Sequence, residues 1–210
     1  DLAEAFSQMP HIFRLNESIK VTSGQLDGNI QTLIKAGQKE IQGQVSITEL
    51  AGVVGEKTIA IAEPIIAQVR VISDHTGVNF DKLEVSSSFA RIDCAGPTRL
   101  LEYNYGLDLT KFQAELGRFI NIGPYQIAGE VSGEGTLSSN KGEITLTGSS
   151  VVENLYISSI EGDSVSEPKV SLDFSMAIHP EKGSISVDFI EANTSFGQVL
   201  SLIHISEPTR

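Results

Sequence analysis

Long runs in which apolar and polar residues alternate are the feature of this sequence that most restricts its fold. The clearest runs are 170–178 and 185–189, and similar alternation covers 41–47 and 127–137. Because successive side chains of a strand point to opposite faces, each run gives a strand one apolar and one polar face. Such strands are typical of antiparallel sheets with one solvated side. The sequence therefore predicts a mainly β fold.

Short polar segments containing Gly interrupt the alternating runs, as hairpin turns do. These segments are 74–77, 139–142 and 180–183. Two other segments have helical spacing of apolar residues. Asp108 is a candidate N-cap for a helix whose apolar stripe reaches Ile120, and a similar stripe runs from Leu2 to Phe13. We expect both helices to pack on the sheet.

Matching segments recur in the same order in the two halves of the chain, and fixed-period similarity indicates repeated structural units. The matched pairs are 1–5 with 108–112, 26–30 with 127–131, 43–50 with 148–155, 63–64 with 167–168, and 86–89 with 193–196. His75 and His179 then fall in equivalent turns. Each match is weak alone, and the shared order and nearly constant offset are what favour a repeat.

The repeat predicts a first unit at 1–106 and a second, truncated unit at 107–199. Each unit is expected to contain one short helix, hairpins with Gly, and long alternating strands. The predicted architecture is an elongated, curved antiparallel sheet built from two repeats, either a β-groove or an open sandwich. Strand faces rich in small residues fit the low aromatic content of 6%.

The last eleven residues, 200–210, break the preceding pattern. They resemble, residue for residue, the conceptual translation of a transposase sequencing adapter. We therefore expect this tail to be non-native and exclude it from reasoning about function. The natural sequence is expected to stop near Val199, inside a strand.

Charge excludes one large class of partner. The chain has 27 acidic and 15 basic residues and a formal net charge of −12. Nucleic acid is not an expected partner, because phosphate binding requires a basic surface. Anionic lipid headgroups would not be attracted by charge either.

Candidate metal ligands are few and dispersed. Cys94 is the one cysteine, which excludes an internal disulfide, and we interpret it as a small buried apolar residue. His11, His75 and His179 are far apart in the sequence and lack ligand spacing. We expect no metal and no cofactor.

Residue patterns of known catalytic sites are not found in the sequence. It contains no phosphate-binding loop and no nucleophile elbow. Glu130 and Glu134 have the same phase on one strand, but an acid–base pair also requires a pocket and a partner that shifts a pKa. We interpret four tyrosines as edge or interface residues, namely Tyr103, Tyr105, Tyr125 and Tyr156. We expect that the chain is not an enzyme.

A family resemblance rests on the segments 81–89, 94–96, 108–116 and 127–133. In this order they look like a stretch of the AsmA-like and TamB-like envelope proteins, and the likeness covers most of 1–199. The resemblance implies a repeated β structure in the periplasm, within a longer protein anchored in the inner membrane. It also implies a role in outer-membrane biogenesis, with phospholipid acyl chains carried along an apolar groove. Partners would be those acyl chains, neighbouring repeats and other envelope proteins.

Six apolar residues are the candidate lining of such a groove: Ile127, Val131, Leu146, Leu172, Phe174 and Met176. Gly129, Gly133 and Gly135 have two interpretations. They leave room for a ligand on the apolar face, or they allow a helix or neighbouring strands to pack closely.

A second function remains open from the sequence alone. A purely structural or adhesive β-repeat module of a cell-surface protein has the same alternation and would display its polar faces to a partner. Such a module predicts a filled, dry core and edge-to-edge pairing between repeats. An open sheet with one uncovered apolar face favours the lipid-carrying function instead.

Overall fold

The structure is a computed structural model that describes residue 2 and residues 19–35, 37–117, 119–120, 123–140, 142–159, 161–182 and 184–201. Within these residues twelve β-strands form one sheet. The strands are β1 (Ile19–Lys35), β2 (Gln38–Val54), β3 (Lys57–Ala60), β4 (Ile65–Asp74), β5 (Gly77–Ser86), β6 (Ala90–Pro97), β7 (Leu100–Asp108), β8 (Tyr125–Asn140), β9 (Glu143–Ser159), β10 (Ser164–His179), β11 (Ser184–Thr194) and β12 (Gly197–Ser201). An α-helix, α1 (Leu109–Glu115), connects β7 to β8, and a 3₁₀ turn occupies Pro180–Lys182.

The strands cross the sheet almost in chain order, and each is antiparallel to its neighbours. The order is β1-β2-β4-β5-β6-β7-β8-β9-β10-β11-β12. β3 pairs with residues 51–54 at the end of β2, beyond the part of β2 that pairs with β4. The predicted turn at 74–77 joins β4 to β5. At the predicted turn 139–142, of which residue 141 lies outside the described residues, Asn140 at the end of β8 pairs with Glu143 at the start of β9. The mainly β, antiparallel prediction is confirmed.

Strand pairing gives the whole sheet one apolar and one polar face, because directly paired residues on adjacent strands point the same way. One paired row runs from β1 to β11 on what we call the apolar face: Ile30, Gly43, Val69, Leu83, Cys94, Tyr103, Gly135, Gly148, Phe174 and Ile190. The adjacent row lies on the opposite, polar face: Asn29, Gln44, Gln68, Glu84, Asp93, Asn104, Glu134, Ser149, Asp173 and Glu191.

The sheet is a single open layer rather than an open sandwich. Buried apolar side chains among the described residues are Leu50, Ile59, Phe89, Phe119 and Ala177. The chain exposes 13911 Å² of surface, whereas a compact monomer of its mass, 22.6 kDa, exposes about 9,500 Å². The alternation correctly predicted strands with one apolar and one polar face. It could not predict whether a second layer covers the apolar face.

Helix α1 begins at the predicted N-cap. Asp108 Oδ1 accepts a hydrogen bond from the Lys111 N–H at 2.9 Å. The helix ends at Glu115, earlier than the stripe to Ile120 predicted, because the Gly117 N–H turns back to the Phe112 carbonyl at 2.8 Å. The apolar stripe continues past this end as a packed turn.

The segment after α1 covers one end of the sheet. Phe119 packs with Leu50 and Ile59 in a buried cluster, and Ile47 of the apolar face contacts the same cluster. Glu115 fixes the helix over this end. Its Oε2 accepts hydrogen bonds from the Ala62 N–H at 2.8 Å and from Ser88 Oγ at 2.7 Å.

Irregularities in the strands recur at a constant spacing. Glu49 and Asn154 are the non-glycine residues with positive φ, at 54° and 52°, and they lie 105 positions apart. Each occupies a bulge opposite a glycine, Gly24 or Gly129, which are also 105 apart. A second kind of bulge has its extra residue, Asp81 or Asp188, in β5 or β11, and the register of the partner strand shifts after Arg70 in β4 and after Ser175 in β10, again 105 positions apart.

One of these bulges corrects the predicted phase of β11. Val187 pairs with Met176 on the apolar face, but Phe189 pairs with Ser175 on the polar face. The extra residue, Asp188, reverses the alternation between them, as a β-bulge does. The prediction that Val187 and Phe189 share a face was therefore wrong.

Three predictions concern turns or chain ends. His75 lies in the β4–β5 turn, but His179 is the last residue of β10, so the two do not occupy equivalent turns. The stripe from Leu2 to Phe13 lies, apart from Leu2, outside the described residues. In the predicted non-native tail, residues 200–201 end β12, and 202–210 lie outside the described residues.

Candidate functional site

Five of the six predicted groove residues lie together on the apolar face. Leu146 of β9 pairs directly with Met176 of β10. Phe174 and Leu172 lie beside Met176 along the same face of β10, and Val131 of β8 belongs to the same face. All five side chains are half-buried. The sheet thus brings these residues together over three adjacent strands.

Ile127 is separated from the other five. It lies on the far side of the Gly129–Asn154 bulge, where β8 is no longer paired with β7. Its N–H donates to Gln113 Oε1 of α1 at 2.8 Å, and it lines a cleft of about 460 Å³ beside the helix. The position of this bulge could not be predicted from the alternation of apolar and polar residues, because no residue type marks it in the sequence.

Two stacked tyrosines form the centre of the apolar face. The rings of Tyr103 and Tyr105 are 6.3 Å apart at an interplanar angle of 20°. Tyr103 Oη donates to the Thr147 carbonyl at 3.1 Å, and Tyr105 Oη bonds to Ser150 Oγ. Both rings therefore reach from β7 across β8 to β9.

These rings occupy the space above the glycines of β8. A Cβ on Gly133 would lie 2.6 Å from the Tyr105 ring, and one on Gly135 would lie 2.5 Å from Tyr103 Oη. Tyr103 Oη would also meet a Cβ on Gly148. Of the two interpretations of these glycines, close packing of neighbouring strands holds for Gly133 and Gly135.

Sequence reasoning missed the tyrosines as members of this face. Tyr103 and Tyr105 lie on β7, between β6 and β8, and not at a sheet edge. The signal was present, because 101, 103, 105 and 107 alternate with polar or small residues in the same way as β10. The run is short, and the hydroxyls of Tyr103 and Tyr105 favoured the interpretation of these residues as edge or interface residues.

Cys94 adjoins this aromatic pair. It is half-buried on β6 and pairs directly with Tyr103. Burial raises the pKa of the Cys94 thiol, and the negative charge of Asp93 adds to the rise. Burial likewise raises the pKa of the Tyr103 hydroxyl, with smaller contributions from Tyr105 and Cys94. In both groups the main cause is partial burial, which disfavours the charged form.

The polar face carries the ion pairs. Arg70 Nε lies 2.6 Å from Glu40 Oε1, and Arg91 Nε lies 2.8 Å from Asp93 Oδ2. A hydrogen bond from Gln42, followed by one from Arg70, lowers the pKa of the Glu40 carboxyl. These exposed pairs are worth little individually. Their effect is to keep the polar face solvated.

Other kinds of site have little support in the described part of the chain. No three or more His, Cys, Asp or Glu side chains converge there as metal ligands would. Glu134 pairs with Asn104 and Ser149 and lines a shallow pocket on the polar face to which Glu130, four residues away on β8, does not contribute. Among the same residues, no helix has the length and apolar character needed to cross a membrane.

No model of a known protein family, no curated protein and no solved structure matches this chain. The geometry of the two faces is therefore the basis for inferring a function. That geometry is an extended apolar surface backed by a charged one.

Proposed function

We propose that this chain is an interior segment of an AsmA-like periplasm-spanning protein that supports outer-membrane biogenesis. In this proposal the apolar face carries phospholipid acyl chains, and no catalytic step is assigned to the chain. The observation that carries the proposal is the unbroken apolar row from Ile30 to Ile190 on a sheet with a single layer.

The size of the apolar face fits an acyl chain. Ten strands contribute to the row, and at the usual strand spacing it is roughly 43 Å across. An acyl chain in one leaflet of a bilayer is about 15 Å long. Each methylene transferred from water to the apolar face contributes about 0.8 kcal/mol, so even partial coverage would hold a lipid.

The charge distribution supports binding through the tail rather than the headgroup. The net charge of −12 repels anionic headgroups. The acidic side chains of the central row, such as Glu84, Glu134 and Asp173, lie on the polar face. A lipid bound by its acyl chains would therefore leave its headgroup at a border of the apolar face.

The proposal includes two repeats, at 1–106 and 107–199. Its support is the 105-residue spacing of Glu49 from Asn154 and of Gly24 from Gly129. β2 and β9 have the same length of 17 residues and the same offset. In a repeat with this offset residues 127–131 would correspond to 22–26, four positions before the segment 26–30 with which the sequence match pairs them. Periplasmic location and an inner-membrane anchor in the full-length protein belong to the same proposal.

The test is photo-crosslinking in cells from adjacent positions of β10. A photoreactive amino acid replaces Phe174 on the apolar face or, as the matched control, Asp173 on the polar face. We expect phospholipid adducts from position 174 and none from position 173. Equal capture from both positions, or no capture from 174 in a folded variant, would sink the proposal.

The structural or adhesive function has one observation in its favour. β1 is a sheet edge with exposed apolar side chains, including Ile30 at 79% and Ile34 at 75%. Edges of this kind pair with other strands. The adhesive function predicts that position 174 captures protein rather than phospholipid in the same experiment.

A further inference from the structure

The outer edge of β1 is an exposed sheet edge that could pair with a further strand. Among the described residues, β1 pairs along one edge only, with β2. Its apolar-face residues Leu26, Ile30 and Ile34 are 56%, 79% and 75% exposed. A long edge with free backbone groups and apolar side chains is a template for another strand.

The second half of the chain contains an equivalent strand whose outer edge is paired. At the 105-residue offset β1 corresponds to β8, and β8 pairs along its outer edge with β7. In that pair Tyr105 lies opposite Gly133, and Leu107 lies opposite Val131. We call a strand of another repeat unit that is equivalent to β7 a strand of the β7 type. If such a strand paired with β1 in the register that β7 has on β8, its Tyr105 would lie opposite Gly28 and its Leu107 opposite Leu26.

A glycine is retained at the position that receives the ring. Gly133 has no space for a Cβ, because the Tyr105 ring covers it at 2.6 Å. Gly28 has space, since the nearest atom to its Cβ position is the Gln44 carbonyl oxygen at 3.6 Å. Gly28 is therefore the corresponding position without a ring over it. Its partner on β2 is Val45, where the partner of Gly133 is Ser150, so a ring over Gly28 would be held by packing and not by a hydroxyl bond. Gly135 corresponds to Ile30, so we assign only Gly28 as a ring site.

We propose that the outer edge of β1 binds an extended strand of the β7 type from another repeat unit. The strand lies antiparallel to β1 and places an aromatic side chain over Gly28. This inference rests on the repeat organisation proposed above and is independent of lipid binding.

The polar side chains are compatible with this register, because it places no two like charges in direct opposition. Polar positions of the β7 type would face amide side chains, with Glu102 opposite Gln31 and Asn104 opposite Asn29. Asp27 would lie opposite Gly106, so no two acidic residues face each other directly. Like charges in direct opposition destabilise a strand pair.

The test uses the full chain and a fluorescent peptide with the sequence of residues 100–108. We expect saturable binding by fluorescence anisotropy. The variant Gly28→Val fills the space over position 28 and should weaken binding roughly fivefold or more, as loss of an aromatic contact does. The isosteric control Thr32→Val, on the same face of β1, should change binding less than twofold. A Tyr105→Ala peptide should lose affinity to the same extent as Gly28→Val.

Folding and position have their own controls. Circular dichroism must show Gly28→Val folded, and Gly28→Ala replaces it if it is not. A benzophenone at the Tyr105 position of the peptide should crosslink within 19–35. The proposal would be overturned by absence of saturable binding or by equal binding to wild type and Gly28→Val. It would also be overturned by crosslinks confined to β12, or by a β1-to-β1 dimer that excludes the peptide. Phospholipid capture at Phe174 is measured separately, so its failure is distinguishable.

Discussion

Tyrosine rings laid over glycines of the next strand are the most specific packing feature of the apolar face. Glycine weakens a strand because it has no side chain to pack, and an aromatic ring from the adjacent strand replaces that packing. The pairs are Tyr105 with Gly133 and Tyr103 with Gly135. The two hydroxyls bond onward to β9, so three strands are held in one register.

Gly133 and Gly28 allow a matched comparison at the residue scale. Gly133→Ala forces a Cβ against the Tyr105 ring and the Ser149 carbonyl, at 2.6 and 2.7 Å. We expect a loss of about 1–3 kcal/mol in the free energy of unfolding. Gly28→Ala meets no atom closer than 3.6 Å and should be nearly neutral. Urea denaturation measures both, and equal losses would contradict the packing described.

Cys94 reports on its surroundings through its reactivity. Burial and the Asp93 charge raise the pKa of its thiol, and only the thiolate reacts rapidly. Alkylation of Cys94 at pH 8 should be slower than that of a cysteine at position 95, placed by Ala95→Cys with Cys94→Ala. The difference should narrow as pH rises through the raised pKa. Equal rates at every pH would show that the apolar face does not shield this thiol.

At the scale of elements, bulges decide which residues belong to which face. A bulge adds one residue to a strand and changes its alternation. One bulge moves Phe189 to the polar face, and another separates Ile127 from the remaining groove candidates. The bulge residues Glu49 and Asn154 have left-handed backbone conformations, which Asn tolerates better than Glu.

Glu49 is therefore a site at which glycine should stabilise the chain. Glu49→Gly removes the cost of a left-handed Glu at φ 54° and keeps the carbonyl that accepts from Ser23 Oγ at 2.8 Å. We expect a gain of about 0.5–1 kcal/mol in the free energy of unfolding. Glu49→Ala, which keeps the left-handed cost, should give no gain. Thermal or urea unfolding that ranks Ala above Gly would contradict the bulge geometry.

The sequence predicted the secondary-structure elements better than the faces of the residues that lie near bulges. Regular alternation sufficed for β10 and for the apolar side of Leu172, Phe174 and Met176, since period 2 is a direct consequence of strand geometry. The Asp108 cap was also predicted, because a capping carboxylate has a fixed position. The phase of Phe189 and the isolation of Ile127 were not, because bulges depend on pairing between strands. Alternation also does not specify what covers an apolar face.

At the scale of the whole molecule, the main property is an apolar face without a second layer. Extended apolar patches on soluble proteins mark binding surfaces, because leaving them in water is costly. The buried apolar cluster, in which Phe119 packs on Leu50 and Ile59, lies at one end of the sheet. The centre, around Tyr103 and Phe174, stays half-buried. This distribution is the basis of the proposed acyl-chain surface.

The measurement that tests this account most directly is protection of Cys94 by phospholipid. Cys94 lies on the apolar face and Ala95 follows it on the polar face. Alkylation by a hydrophilic maleimide is followed with and without diheptanoyl phosphatidylcholine, kept below its micelle concentration. The account predicts that lipid slows alkylation of Cys94 several-fold and leaves the Cys94→Ala, Ala95→Cys chain unchanged. Equal slowing at both positions, or no slowing at Cys94, would contradict an acyl-chain surface on this face.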